Sequence, residues 1–298
     1  MSHPPTQSEI KAMLAEAGLR PHRRLGQHFL VDGNLMRLLV AAADLGPTDT
    51  VLEVGCGVGN LTELLVEAAG HVVAVEVDAN LAAIARERLA EAANLDLVVT
   101  DVLADKHRIA PAVTGAVGAH RSALGGAVKL VANLPYQAAT PLVAELVRAD
   151  LPPERLVFTV QQEVADRLAA APATPAYGPV GVLVQALAQV EVLRRLAPSV
   201  FWPMPRVRSA MVCVRPRAER RARIADLDVF RRTIDGLFGH RRKRAARSLA
   251  LADPSGAPAE DWAERLASVG LDPQVRGETY SVDQIICLAN TVAREGAD

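Results

Sequence analysis

Apolar and polar positions along the chain fall into blocks of two periods. "TVLEVGCGVGN" (50–60) is a β-branched run followed by three glycines two apart, and "LTELLVEAA" (61–69) has helical spacing. "HVVAVEVD" (71–78) predicts a second buried strand ending in acids. "ANLAAIARERLAEAA" (79–93) predicts an amphipathic helix, and "LDLVVTDV" (95–102) a third strand. Strands alternating with helices imply a parallel sheet with crossover helices. Upstream, 8–18 and 33–44 have helical patterning. Downstream, "AVKLVANLPY" predicts a fourth strand and its exit turn, and "TPLVAELVRA" a helix with Pro141 near its first turn, where proline is tolerated. "RLVFTVQQEVADRLAA" reads as a strand leading into a helix, and "QVEVLRRL" and "SAMVCVRP" as two closing strands. Residues 104–127, rich in Gly and Ala without a clear period, read as a variable excursion. From about residue 217 the pattern is helical. The expectation is an α/β domain over 1–216 and a smaller all-α domain over 217–298, with no internal repeat.

Composition narrows the class. The chain has 298 residues, of which 50% are hydrophobic, enough for one large or two ordinary cores. Cys56, Cys213 and Cys287 are scattered and form no CxxC pair, which argues against a disulfide framework and a structural zinc site; no metal is expected. The start has no secretory pattern and no apolar run is long enough to span a bilayer, so a cytoplasmic protein without membrane contact is expected. Net charge is −1, yet residues 206–247 carry 14 Lys or Arg against four acids. That asymmetry is the footprint of a phosphate-binding surface. Apolar residues at helical spacing within it (Phe230, Ile234, Leu237, Phe238) make a disordered basic linker the weaker alternative.

Candidate chemistry sits at strand ends. The turn E-V-G-C-G-V-G holds Glu53, Gly55, Gly57 and Gly59. Glycines there permit strained backbone angles and close approach of a ligand. The spacing departs from the dinucleotide fingerprint and suits a sulfonium nucleoside better than a pyrophosphate. Glu76, 21 residues after Gly55, is placed to take ribose hydroxyls, with Asp78 as its competitor. Asp101 occupies the equivalent position after the third strand, where an acceptor can bind an adenine amine. In N-L-P-Y, Asn133 offers a carbonyl acceptor. Pro135 pushes Leu134 into an extended conformation that can aim a second carbonyl into the pocket. Two acceptors can hold both hydrogens of an aromatic amine, and Tyr136 supplies a stacking face. Phe201 is a candidate second wall, with a hydrophobic plug as the alternative. "GQHFL" (26–30) reads as a lid carrying His28.

Taken together, "LGQHFL", "VLEVGCGVGNLT", "AVEVD", "TDVL", "VANLPYQAATPL", "VQQEVADRL", "FWPMPRVRSAMV" and "HRRKRAARSL" resemble the small-subunit ribosomal RNA adenine dimethyltransferases, the KsgA/RsmA family, over about residues 20–290. The resemblance implies a Rossmann-like class I methyltransferase domain with S-adenosylmethionine as methyl donor. It implies His28, Leu30, Gly55, Gly57, Glu76, Asp101 and Asn133 as cofactor-binding residues. It also implies Asn133, Leu134, Tyr136 and Phe201 around the target adenine. The implied reaction is dimethylation at N6 of two adjacent adenines in the 3′-terminal hairpin loop of 16S rRNA, late in assembly of the small ribosomal subunit. Arg241, Arg242, Lys243, Arg244 and Arg247 would contact RNA, and the protein would act as a monomer. The chain departs from the common family pattern with His28 for Asn, Cys56 for Pro, Gln137 for Asn and Arg208 for Asp. The competing readings are an Erm-type 23S enzyme, a DNA adenine methyltransferase, and an assembly factor whose catalysis is secondary or lost.

Overall fold

A computed structural model describes residues 4–22, 27–105 and 108–295. The start of the "GQHFL" segment and residues 106–107 lie outside the described residues. The chain divides into two compact units, Met1–Ala165 with Glu191–Pro216, and Asp166–Val190 with Arg217–Asp298.

The first unit is built on a seven-stranded sheet. Its strands, counted in chain order, are β1 (Thr50–Val54), β2 (His71–Glu76), β3 (Leu95–Val99), β4 (Val128–Asn133), β5 (Arg155–Gln161), β6 (Ala188–Leu196) and β7 (Ser209–Pro216). The spatial order is β3-β2-β1-β4-β5-β7-β6. β3, β2, β1, β4 and β5 pair in parallel, and β7 runs antiparallel to β5. This is the α/β, Rossmann-like arrangement expected. β1 is buried at every residue and β4 and β5 through their centres, as parallel strands covered on both faces must be. The order runs one way from β1 to β3 and the other way from β4, so a crevice opens between the carboxyl ends of β1 and β4.

Helices follow the strands: α1 (Gln7–Glu16), α2 (Gly33–Ala43), α3 (Thr62–Ala68), α4 (Ala79–Arg88), α5 (Pro111–Leu124) and α6 (Tyr136–Arg148). Leu35, Met36 and Leu39 of α2 pack with Val51, Val131, Val157 and Met211 of the sheet in one core cluster. Two expectations are corrected. The Gly/Ala-rich excursion contains α5, a 14-residue helix with Pro111 at its start and Gly125 (φ 71°) at its end. Its Ala-rich sequence hides the amphipathic period. Helix α6 begins at Tyr136, so Pro141 sits inside it instead of in its first turn. Proline there donates no backbone bond to the preceding turn.

At the edge of the sheet opposite the crevice, His71 of β2, Asp96 of β3 and His120 of α5 come together. The imidazole rings stack at 3.4 Å with an interplanar angle of 11°, and His120 Nε2 lies 2.7 Å from an Asp96 oxygen. The His120–Asp96 contact ties α5 to the sheet. Burial, then the neighbouring His120, holds the His71 pKa below its usual value.

The second unit is helical: α7 (Gln162–Leu168) leads into it, followed by α8 (Pro179–Leu187), α9 (Ala218–Arg221), α10 (Leu227–Gly239), α11 (Ala245–Ala252), α12 (Ala259–Ser268) and α13 (Val282–Glu295). The expected boundary at 216/217 leaves 166–190 in the first domain, whereas the structure groups them with the C-terminal helices. The reason is apolar: α8 buries Val182, Leu183, Val184, Ala186 and Leu187, and the wholly buried Tyr177 donates its hydroxyl to the Tyr280 carbonyl at 3.0 Å. Phe230, Thr233, Ile234, Leu237 and Phe238 form the buried stripe of α10.

Candidate active site

The glycine turn after β1 is fixed by backbone conformation. Gly55, Gly57 and Gly59 have φ of 77°, 58° and 85°, in the left-handed region that L side chains avoid. The space is also taken. A Cβ on Gly55 would lie 2.9 Å from Pro135, and one on Gly57 2.9 Å from the Phe29 ring. The first contact presses the glycine turn directly against the N-L-P-Y turn. The second presses it against the segment read as a lid. That segment is pinned by a two-residue antiparallel ladder, Phe29↔Trp202 and Leu30↔Phe201.

Acids line the turn. The Gly57 amide donates to Glu76 Oε2 at 2.8 Å and the Asp78 amide to Glu76 Oε1 at 3.0 Å. Asp78 caps α4 and accepts from the Gln27 side chain at 3.3 Å. Of the two acids left open by the sequence, Glu76 lines the pocket and Asp78 does not. Burial raises the Glu76 pKa against the pull of these backbone amides. Glu53 is buried more deeply and accepts from Thr62 Oγ1 at 2.6 Å, and burial pushes its pKa up to about 8. Burial and the two nearby carboxyls hold the Cys56 thiol well above its ordinary pKa, so it is not a nucleophile.

The opening turn of α6 is equally well tied. Asn133 Nδ2 donates to the His28 carbonyl at 2.8 Å, and Asn133 Oδ1 accepts from Thr159 Oγ1 at 2.5 Å. The Leu134 amide donates to the Thr159 carbonyl at 3.2 Å. Tyr136 shares a hydrogen bond of 3.0 Å with Ser209, and burial raises its pKa, so it stays a neutral phenol. The His28 ring lies 5.5 Å from the Tyr136 ring, and its Nδ1 donates to the Pro203 carbonyl at 2.6 Å.

One pocket is lined by His28, Leu30, Gly55, Gly57, Glu76, Asp101, Asn133, Leu134 and Tyr136. Phe201 is the exception. It does not line this pocket but lies in the core, 3% exposed, paired with Leu30. The expected second aromatic wall is thus a plug beneath the loop. Its neighbour Trp202 stacks on Phe29 at 6.2 Å and carries Lys11 over its ring at 5.4 Å. Glu53, placed in the glycine turn without a role of its own, and Asn60 also line the pocket. Their signal was position: Glu53 is two residues before Gly55, and Asn60 directly follows Gly59. Asn60 donates to the Leu30 carbonyl at 3.3 Å, while its buried Oδ1 has no hydrogen-bond partner.

The lining holds the acids Glu76 and Asp101, a Glu53 that burial keeps protonated, and no Lys or Arg among the described residues. Such a field repels phosphate and favours a cation. With the orphaned Asn60 acceptor, it fits a sulfonium nucleoside bearing an ammonium group.

In the helical unit Arg241, Arg242, Lys243, Arg244 and Arg247 are all exposed. Arg241 is bound to Glu278 and to the Tyr177 carbonyl, each at 3.0 Å, and Arg244 to Gln274. Arg242, Lys243 and Arg247 have no such partner among the described residues, so these three are free to meet phosphate. No helix among the described residues is long and apolar enough to cross a membrane.

The sequence pattern of a family described as ribosomal RNA adenine dimethylase matches residues 18–286. A protein of Pelotomaculum thermopropionicum named ribosomal RNA small subunit methyltransferase A is 38% identical, the alignment covering 96% of each chain. One of the same name from Geobacillus thermodenitrificans is 36% identical over the same shares. Among solved structures, a dimethyladenosine transferase from Plasmodium falciparum superposes with a TM-score of 0.74 at 20% identity, covering 90% of this chain and 98% of the other. The 23S rRNA methyltransferase ErmE superposes at 0.63 and 24% identity, covering 89% and 99%. These two likenesses speak to the fold.

Proposed function

Because the chain belongs to the ribosomal RNA adenine dimethylase family, we propose that it dimethylates N6 of two adjacent adenines in the 3′-terminal hairpin loop of 16S rRNA. S-adenosylmethionine would be the methyl donor. The reading includes action as a monomer in the cytoplasm, on small subunits late in their assembly. The observation that carries it is the contact between the two turns: Pro135 of N-L-P-Y packs on Gly55 at the switch point of the sheet. The acceptors for an adenine amine and the cradle for a cationic cofactor therefore share one pocket.

When bound, the cofactor supplies a methyl group already activated by the sulfonium. Glu76 is placed for the ribose hydroxyls and Asp101 for the adenine amine of the cofactor. Glu76 and Asp101 supply the negative field, while the protonated Glu53 does not. A loop adenine that leaves its stack, cheapest from single-stranded RNA, meets Tyr136 as its stacking face. Asn133 Oδ1 and the Leu134 carbonyl then hold its N6. Positioning is the main contribution of the protein, since the electrophile needs no further activation. Each transfer would break the S–CH3 bond, form N6–CH3 and release one N6 proton to water; the first product keeps one N–H, which one of the two acceptors can hold for a second round.

The test is transfer of labelled methyl to unmethylated small subunits, large-subunit RNA and duplex DNA. Label recovered as N6,N6-dimethyladenosine in small-subunit RNA alone is the expected result. Label on large-subunit RNA would instead support the second reading, an Erm-type enzyme, whose fold this chain shares. The relatives named for the small subunit, 38% and 36% identical over nearly the whole chain, favour the first.

A further inference from the structure

We infer that Thr159, which lies outside the pocket, is a positioning residue that fixes the orientation of the Asn133 amide. The inference rests on the role given to Asn133 above. Thr159 stands opposite Asn133 in the parallel ladder between β4 and β5. It interrupts an apolar run: Leu156, Val157, Phe158 and Val160 are all fully buried, and Thr159 is 1% exposed. A hydroxyl in such a place costs stability unless it is hydrogen-bonded, and valine would fill nearly the same volume. The bond this hydroxyl makes goes to Asn133 Oδ1, at 2.5 Å.

The two ends of the Asn133 side chain are read by complementary partners. The Thr159 hydroxyl donates to the oxygen, and the His28 carbonyl, which can only accept, takes a proton from the nitrogen at 2.8 Å. Reversing the amide would set its oxygen against the His28 carbonyl oxygen, two acceptors at hydrogen-bonding distance. Thr159 occupies one lone pair of Oδ1 and leaves the other to accept from a target amine. Its own carbonyl meanwhile accepts from the Leu134 amide at 3.2 Å, so one residue braces both acceptors of the N-L-P-Y turn. The chain O–H to O=C–N–H to O=C also polarises in one direction, which strengthens each bond.

Thr159→Val and Thr159→Ser separate this role from simple packing. For Thr159→Val, kcat for methyl transfer should fall roughly tenfold or more, the scale of one lost bond to a reacting group. Cofactor affinity should stay within about twofold of wild type, and Thr159→Ser should restore most of the rate. Independently of activity, NMR with asparagine labelled in the side-chain amide should show slow hydrogen exchange at Asn133 in wild type and Thr159→Ser, and fast exchange in Thr159→Val. Unchanged Asn133 exchange in Thr159→Val overturns the inference whatever the activity. So does an unchanged kcat of Thr159→Val where the wild type transfers methyl, or a serine variant as impaired as the valine one. A wild type that methylates no RNA while its Asn133 exchange still depends on Thr159 would overturn the functional reading and leave the positioning intact.

Discussion

The side chains of the pocket are governed by which charges burial suppresses. Burial holds the proton of Glu53 in the folded protein up to about pH 8, while in the unfolded chain it is released near the ordinary value of 4.5. Between these values the folded state binds more protons than the unfolded one, so stability falls as pH rises through that window. Glu53→Gln keeps an acceptor for Thr62 and removes the titration. Its melting temperature should fall less between pH 6 and 9 than that of wild type; equal losses in calorimetry would contradict a neutral Glu53. Asn133→Ala should reduce methyl transfer to background and leave cofactor affinity within a few fold, measured by label incorporation and titration calorimetry. Asn133 and Glu76 were legible in the sequence because strand ends in an open α/β sheet all point to one crevice. The neutrality of Glu53 and the buried place of Phe201 were not. Both depend on what packs around them, which a string of residues does not state.

Among the elements, α5 shows how composition can conceal a helix. Gly115 and Gly118 lie on its exposed face, and a Cβ at either would meet nothing within 4 Å. Each glycine-to-alanine change there should add about 0.5–1 kcal/mol, seen as a higher urea midpoint at unchanged slope. The turn after β1 predicts the opposite. Gly57→Ala meets both a left-handed φ and the Phe29 ring. It should cost at least about 1–2 kcal/mol of stability and weaken cofactor binding, because it displaces the segment that carries His28. A variant with wild-type melting and affinity would show that the turn tolerates a side chain. The β-α-β alternation was readable from periodicity alone. The start of α6 was not, since a proline six residues in reads locally as a helix beginning, whereas the Ala138 and Ala139 amides close an earlier turn on the Pro135 carbonyl.

For the molecule as a whole, the candidate pocket and the unpaired basic residues belong to different units. The pocket lined by Glu76 and Asp101 lies in the α/β unit, while the exposed Arg242, Lys243 and Arg247 belong to the helical one. Replacing these three by alanine should weaken binding to small subunits and flatten the dependence of log affinity on log salt by up to about 0.9 for each lost phosphate contact. Transfer to a short single-stranded substrate should suffer less; an unchanged salt slope would mean that RNA docks elsewhere. The sequence by itself determined the sheet, the glycine and N-L-P-Y turns, the basic segment and the family, because periodicity, turn chemistry and strand ends are local properties. Tertiary structure alone decided the rest. It decided that residues 166–190 join the helical unit, that Glu76 and not Asp78 faces the pocket, that Phe201 is a plug, and that Thr159 meets Asn133. Each of these depends on which surfaces are brought into contact, and hydrogen bonds and burial between distant segments leave no period in the chain.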